Sequence, residues 1–153
     1  MRLCFVQKPD KDSTPLRDDS VDLETGVVGS TMGPKARAQA LFRDHHIGVV
    51  RMRHSLSQGE ITPARYAAGR TTFSRPRGLD KGPINEALKT LGLERNIATI
   101  VGGFSPALAL AHASDLIASI PERHTGNLRA GMFSFPLPVS THEIRFHCSG
   151  TRA

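Results

Sequence analysis

The chain has 153 residues, 39% of them hydrophobic and 22% charged, with no tryptophan and a formal net charge of +6. That length can bury a real core in one ordinary domain or two small lobes, and the composition argues against wholesale disorder. The positive balance would suit nucleic acid, but the arginines are scattered without interleaved aromatics, so a solvated basic surface is the expectation. Cys4 and Cys148 stand far apart with no CxxC partner, which excludes a disulfide framework and fits a reducing compartment. The start, MRLCFVQKPDKD, turns charged too early for a secretory leader. The apolar region 97–120 is broken by Ser105, Pro106, His112, Ser114 and Asp115, so no membrane span is expected and the cytoplasm is the expected location.

Taken in chain order, residues 3–6 and 21–28 read as strands separated by the polar KPDKDSTPLRDD, and they predict an amino-terminal sheet. Residues 38–42 and 47–52 flank the turn RDHH. The polar RMRHSLSQGE that follows reads as a connector, and a lobe boundary is placed there.

From Thr62 onward, helix punctuation recurs. Thr62-Pro63 opens a helix that stops near Gly69, Gly82-Pro83 opens INEALKTL and stops at Gly92, and Ser105-Pro106 opens ALALAHAS with Ser105 as its N-cap. Strand-like runs at 71–74, 97–101 and 116–120 alternate with these helices, predicting an α/β lobe with parallel pairing. Such sheets bind ligands beyond the carboxyl ends of their strands, where helix amino termini also point. The loops SRPRGLDKG and GGFS occupy those places.

Several motifs are weaker than they look. G-F-S-P-A has Ala107 where a strained nucleophile turn places glycine, so a small hydrolase using Ser105 and one of the histidines is only the enzyme alternative. GSTMGPK at 29–35 has the wrong spacing for a phosphate loop and reads as an ordinary loop. The histidines lack ligand spacing, and His45 and His46 would point to opposite sides of a strand, so neither a metal site nor a cofactor is expected. Arg75, Arg77 and Lys81 precede the helix that begins at Gly82. They either attract an anion to its amino terminus or solvate a surface loop. The alanine and leucine stripe at 107–113 reads as core packing.

Three segments together resemble the effector-binding domain of LysR-type transcriptional regulators. "LRDDSVDLETGVVG" is similar to that family's segment leading into a strand. "FRDHHIGVVRMRHSL" resembles its hinge strand ending in His-Pro-Leu, with Ser55 in place of the proline. "GGFSPALALAHASDLIASIP" is similar to its late strand-helix-strand unit. Their order and spacing, spanning nearly the whole chain, carry the likeness.

The resemblance implies an α/β, periplasmic-binding-protein-like fold of type 2, with two small lobes of which the first is incomplete. It assigns 1–52 and 138–153 to the first lobe and 53–137 to the second. A small organic effector, expected to be a carboxylate, would sit in the cleft, with Ser74, Arg75, Phe104 and Ser105 on the second-lobe wall and Lys8 and Pro9 on the first. No catalysis is implied. The family's winged helix-turn-helix is not in this sequence, so no direct contact with DNA is expected from it, while a homodimer or a heterodimer with intact relatives is.

At the carboxyl end the family would continue Thr-Val-Ser-Leu-Leu-Trp-His-Pro-Arg. Loss of a base from a string encoding that peptide yields Arg-Phe-His-Cys-Ser-Gly-Thr-Arg and then alanine, so 145–153 is read as a frameshifted tail. A truncated remnant, silent or interfering with full-length relatives, is the alternative function.

Overall fold

The computed structural model describes residues 2–7, 15–27, 36–74 and 82–151. Among them the elements run β1 (Leu23–Val27), β2 (Ala36–Asp44), β3 (His46–Arg51), α1 (Pro63–Ala68), β4 (Arg70–Ser74), α2 (Pro83–Lys89), β5 (Asn96–Val101), α3 (Phe104–Ala113), β6 (Ala118–Pro121), β7 (Met132–Pro136) and β8 (Ile144–Thr151). Contacts divide the chain into two units, Met1–Arg43 with Arg145–Ala153, and Asp44–Ile144.

The first unit contains a small sheet in the order β1-β8-β2. β8 runs antiparallel to β1, with Val27 opposite Phe146 and Thr25 opposite Cys148. The Phe146 ring stacks on Phe42 of β2, with centroids 4.8 Å apart. Cross-strand aromatic pairs of this kind hold neighbouring strands in register. The divergent carboxyl-terminal residues thus supply the central strand, with Phe146 buried and Arg145 exposed, as strand alternation requires.

The expectation of a strand at 3–6 is corrected. Residues 2–7 form no regular element, and Leu3, Phe5 and Val6 are exposed. An apolar run becomes a strand only where another strand supplies hydrogen-bond partners, and none is paired with it among the described residues. The phosphate-loop look-alike at 29–35 lies outside the described residues.

In the second unit β3 is the centre, antiparallel to β6 on one side and to β7 on the other. Ile47, Gly48, Val49 and Val50 are all buried. A strand buried at four consecutive positions must be covered on both faces, and this one is. Ile47 and Val49 pack with Ala107, Leu108 and Ala111 of α3. Val50 packs on the opposite face with Tyr66 and Ala67 of α1 and with Ile84 and Leu88 of α2.

Gly48 lies opposite Phe135 of β7. A Cβ there would come within 2.2 Å of the Phe135 ring, so the missing side chain is what admits the aromatic.

β4 and β5 pair in parallel, as the alternating pattern predicts. Thr72 donates its N–H to the Ile117 carbonyl (2.9 Å) and Ile117 donates to the Arg70 carbonyl (2.8 Å), joining this pair to the segment that enters β6. Two helix starts follow the sequence reading. Thr62 caps α1 by accepting the Arg65 N–H, and proline stands at the first turn of both α1 and α2.

The third start is corrected. α3 begins one residue early, at Phe104, with Gly103 at the cap position and no side-chain cap, so Ser105 lies inside the first turn. Gly103 has φ 156°, a conformation that favours glycine and turns the chain straight into the helix. Pro106 is tolerated in the first turn, whose N–H groups have no intrahelical acceptor.

RMRHSLSQGE is also more than a connector. His54 is buried, accepts the Leu56 N–H at Nδ1 (3.0 Å), and reaches the Asp115 carbonyl through Nε2 (3.2 Å). A 3-10 turn, Ser55–Ser57, places Leu56 in the core.

Candidate functional site

The parallel pair β4–β5 fixes where a ligand wall can form. Ser74, the last residue of β4, is in register with Val101, the last residue of β5. The chain leaves β5 through Gly102 and Gly103 and enters α3 at Phe104. Ser74 and the start of α3 therefore stand at the same carboxyl edge of the sheet.

Two features coincide at that edge. The Ser74 Oγ is buried, with no hydrogen-bond partner among the described residues. The amino terminus of α3 has no side-chain cap, leaving backbone donors directed away from the helix. Buried hydroxyls normally find a partner, because an orphan costs about 1–3 kcal/mol. A hydroxyl next to a helix amino terminus can hold an anionic oxygen between them.

The sequence-predicted residues are distributed as follows. Phe104 is half-buried, packs on the core around Ile47 and Val49, and meets the His124 ring edge-on at 5.7 Å between centroids. Ser105 is exposed and lines a shallow apolar groove on the outer side of α3 with Leu108, Ala109, His112, Leu128 and Met132. Lys8, Pro9 and Arg75 lie outside the described residues, as do Arg77 and Lys81. The structure thus brings Ser74 and Phe104 to one sheet edge, whereas the Ser105 side chain belongs to the groove.

Behind Phe104 stands a group that the sequence reading passed over as the turn RDHH. Asp44 is 4% exposed, and its carboxylate accepts three backbone N–H groups, from His45 (2.8 Å), Arg123 (2.9 Å) and His124 (2.8 Å). Burial, the largest single influence, pushes its pKa up. The three hydrogen bonds and the neighbouring His45 together outweigh burial and hold the carboxyl below its ordinary value. Beside it, His45 Nε2 lies 3.0 Å from the Glu122 carboxylate at the surface.

Among the described residues no cluster of three or more histidines, cysteines or carboxylates is arranged for a metal ion. In the same residues no helix is long and apolar enough to cross a membrane.

No family model matches the chain, and no curated protein matches it. Solved structures do. A probable transcriptional regulator from Pseudomonas aeruginosa superposes with a TM-score of 0.80 at 24% identity, over 95% of this chain and 50% of that one. CbnR, a LysR family transcriptional regulator, gives 0.66 at 16% identity, over 90% of this chain and 48% of its own. The effector-binding domain of QuiR in complex with shikimate gives 0.68 at 14% identity, over 90% and 66%.

The chain therefore has the α/β, periplasmic-binding-protein-like fold of LysR-type regulatory domains. These neighbours are regulators of transcription or their effector-binding domains, not enzymes. The chain spans about half the length of the first of them.

Proposed function

We propose that this chain is the effector-sensing part of a LysR-type transcriptional regulator and binds a small organic carboxylate without transforming it. The observation that carries the reading is the buried Ser74 hydroxyl, without a partner among the described residues, at the same sheet edge as the start of α3, which lacks a side-chain cap. An effector carboxylate accepts the hydroxyl and backbone N–H donors there, Arg75 adds charge pairing, and Phe104 offers an apolar surface. Ser105 contributes its backbone N–H, and Lys8 and Pro9 belong to the opposing wall.

The lobes of this reading are 1–52 with 138–153, and 53–137. The compact units part instead between Arg43 and Asp44 and between Ile144 and Arg145. Effector binding changes transcription only if one lobe arrangement binds the effector more tightly than another, and the DNA-reading part belongs to a longer chain or to a partner copy. In this reading the protein works in the cytoplasm.

The test is a thermal melt of the purified chain with and without shikimate, benzoate and a set of aliphatic carboxylates. A ligand that binds only the folded state raises the midpoint, by an amount set by its concentration relative to Kd. A saturable rise with one compound supports the sensor. A cooperative melt unmoved by every carboxylate overturns it.

A further inference from the structure

We infer that Asp44 and His124 are positioning residues that hold the Phe104 ring in place for the effector, an inference that rests on the reading of Phe104 as part of the effector wall. Phe104 is the first residue of α3 and follows two glycines, so its backbone approach is unusually free. Helical side chains lean toward the helix amino terminus, onto the preceding turn. The first residue has no such turn, and its ring is oriented by what it meets in space. On one side that is the core around Ile47 and Val49, and on the other the ring of His124, inclined at 74° to it.

His124 is exposed, so burial alone does not fix it. The turn that carries it is fastened at several points. Asp44 accepts the N–H groups of Arg123 and His124. Glu122 donates its N–H to the His45 carbonyl (3.0 Å), the Thr125 hydroxyl donates to the Pro121 carbonyl (2.5 Å), and Arg129 donates to the Glu122 carbonyl (3.0 Å).

A surface imidazole on a turn held this tightly is a fixed wall for the aromatic beside it. The line from Asp44 through the 122–125 turn to His124 and Phe104 also begins at the first residue of the second unit, where the chain arrives from the first.

The experiment compares His124→Ala, His124→Phe and Asp44→Asn with the parent by two readouts. The first is the NMR signal of ring-labelled Phe104, which needs no ligand. The second is the Kd for whichever of shikimate, benzoate and succinate binds the parent chain. His124→Ala is expected to shift the Phe104 ring signal and weaken binding about three- to tenfold, the span of one aromatic pair, with the melting midpoint almost unchanged because the imidazole is exposed. His124→Phe restores both readouts, and Asp44→Asn moves both in the direction of His124→Ala.

An unshifted Phe104 signal in His124→Ala overturns the inference, as does failure of His124→Phe to restore it. Should Asp44→Asn fail to fold, the two His124 variants decide. If none of the three carboxylates binds the parent, the effector reading fails at its own test, while the ring signal still decides whether His124 orients Phe104.

Discussion

The Asp44 carboxylate accepts the backbone N–H of His124, eighty positions further along the chain, at 2.8 Å. The same group accepts Arg123 and its own neighbour His45, so one buried anion gathers three backbone N–H groups and closes the turn. Its pKa is held below the ordinary 3.8.

The sign of the pH effect follows from that depression. A carboxyl whose folded pKa lies below its unfolded value stabilises the fold fully above the unfolded value and loses that contribution as pH falls through the folded one. Asp44→Asn is therefore expected to cost about 1.5–3 kcal/mol at pH 7. The difference from the parent narrows only below about pH 4. Urea titrations of both proteins at pH 7 and near pH 3 measure it, and an equal gap at the two pH values would contradict the account.

Ser74→Ala separates binding from stability. The hydroxyl is buried with no partner among the described residues, so its removal is expected to raise stability by about 1 kcal/mol. The same change should weaken carboxylate binding about tenfold. A variant that is both less stable and equally competent in binding would show that the hydroxyl serves the fold.

Gly48→Ala is expected to destabilise the second unit by about 1–3 kcal/mol, since the new methyl group meets the buried Phe135 ring. Phe135→Leu in the same chain should recover part of that loss. A double-mutant cycle gives the coupling, and additive effects would rule out the contact as the cause.

Ile117 and Ile100 make a paired control. Ile117 is fully buried where β4 meets the segment entering β6, and Ile100 is 64% exposed on β5. Ile117→Ala should cost about 2–5 kcal/mol and Ile100→Ala no more than about 0.5 kcal/mol by denaturant unfolding.

How much of this was legible in the sequence depends on the reach of each interaction. α1 and α2 and the strands between the helices announce themselves locally, through Thr62-Pro63, Gly82-Pro83 and Gly92, because caps and breakers act within a few residues. The start of α3 was misplaced because Ser105-Pro106 is a good cap signal, and only the backbone of Gly103 shows that the helix already begins. The run at 3–6 was misread because apolarity does not say whether a partner strand is present. Ser74 is pointed to by the family resemblance, whereas the lack of a partner for its hydroxyl among the described residues is a fact of packing. Asp44 and His124 were invisible, since no local pattern links an aspartate in RDHH to the N–H groups of a turn 79 and 80 positions on.

The central position of β3 sets the order in which the second unit can be completed during synthesis. His46–Arg51 emerges early, yet its two neighbours are Ala118–Pro121 and Met132–Pro136, and the helix covering one of its faces lies between. Until β7 has left the ribosome, the most apolar strand of the unit has an unpaired edge, which makes the nascent chain vulnerable to association. Assembly through such distant pairings is slow relative to a helical bundle of the same size. The interval between translation of Arg51 and of Pro136 is thus the period in which that apolar edge stays uncovered.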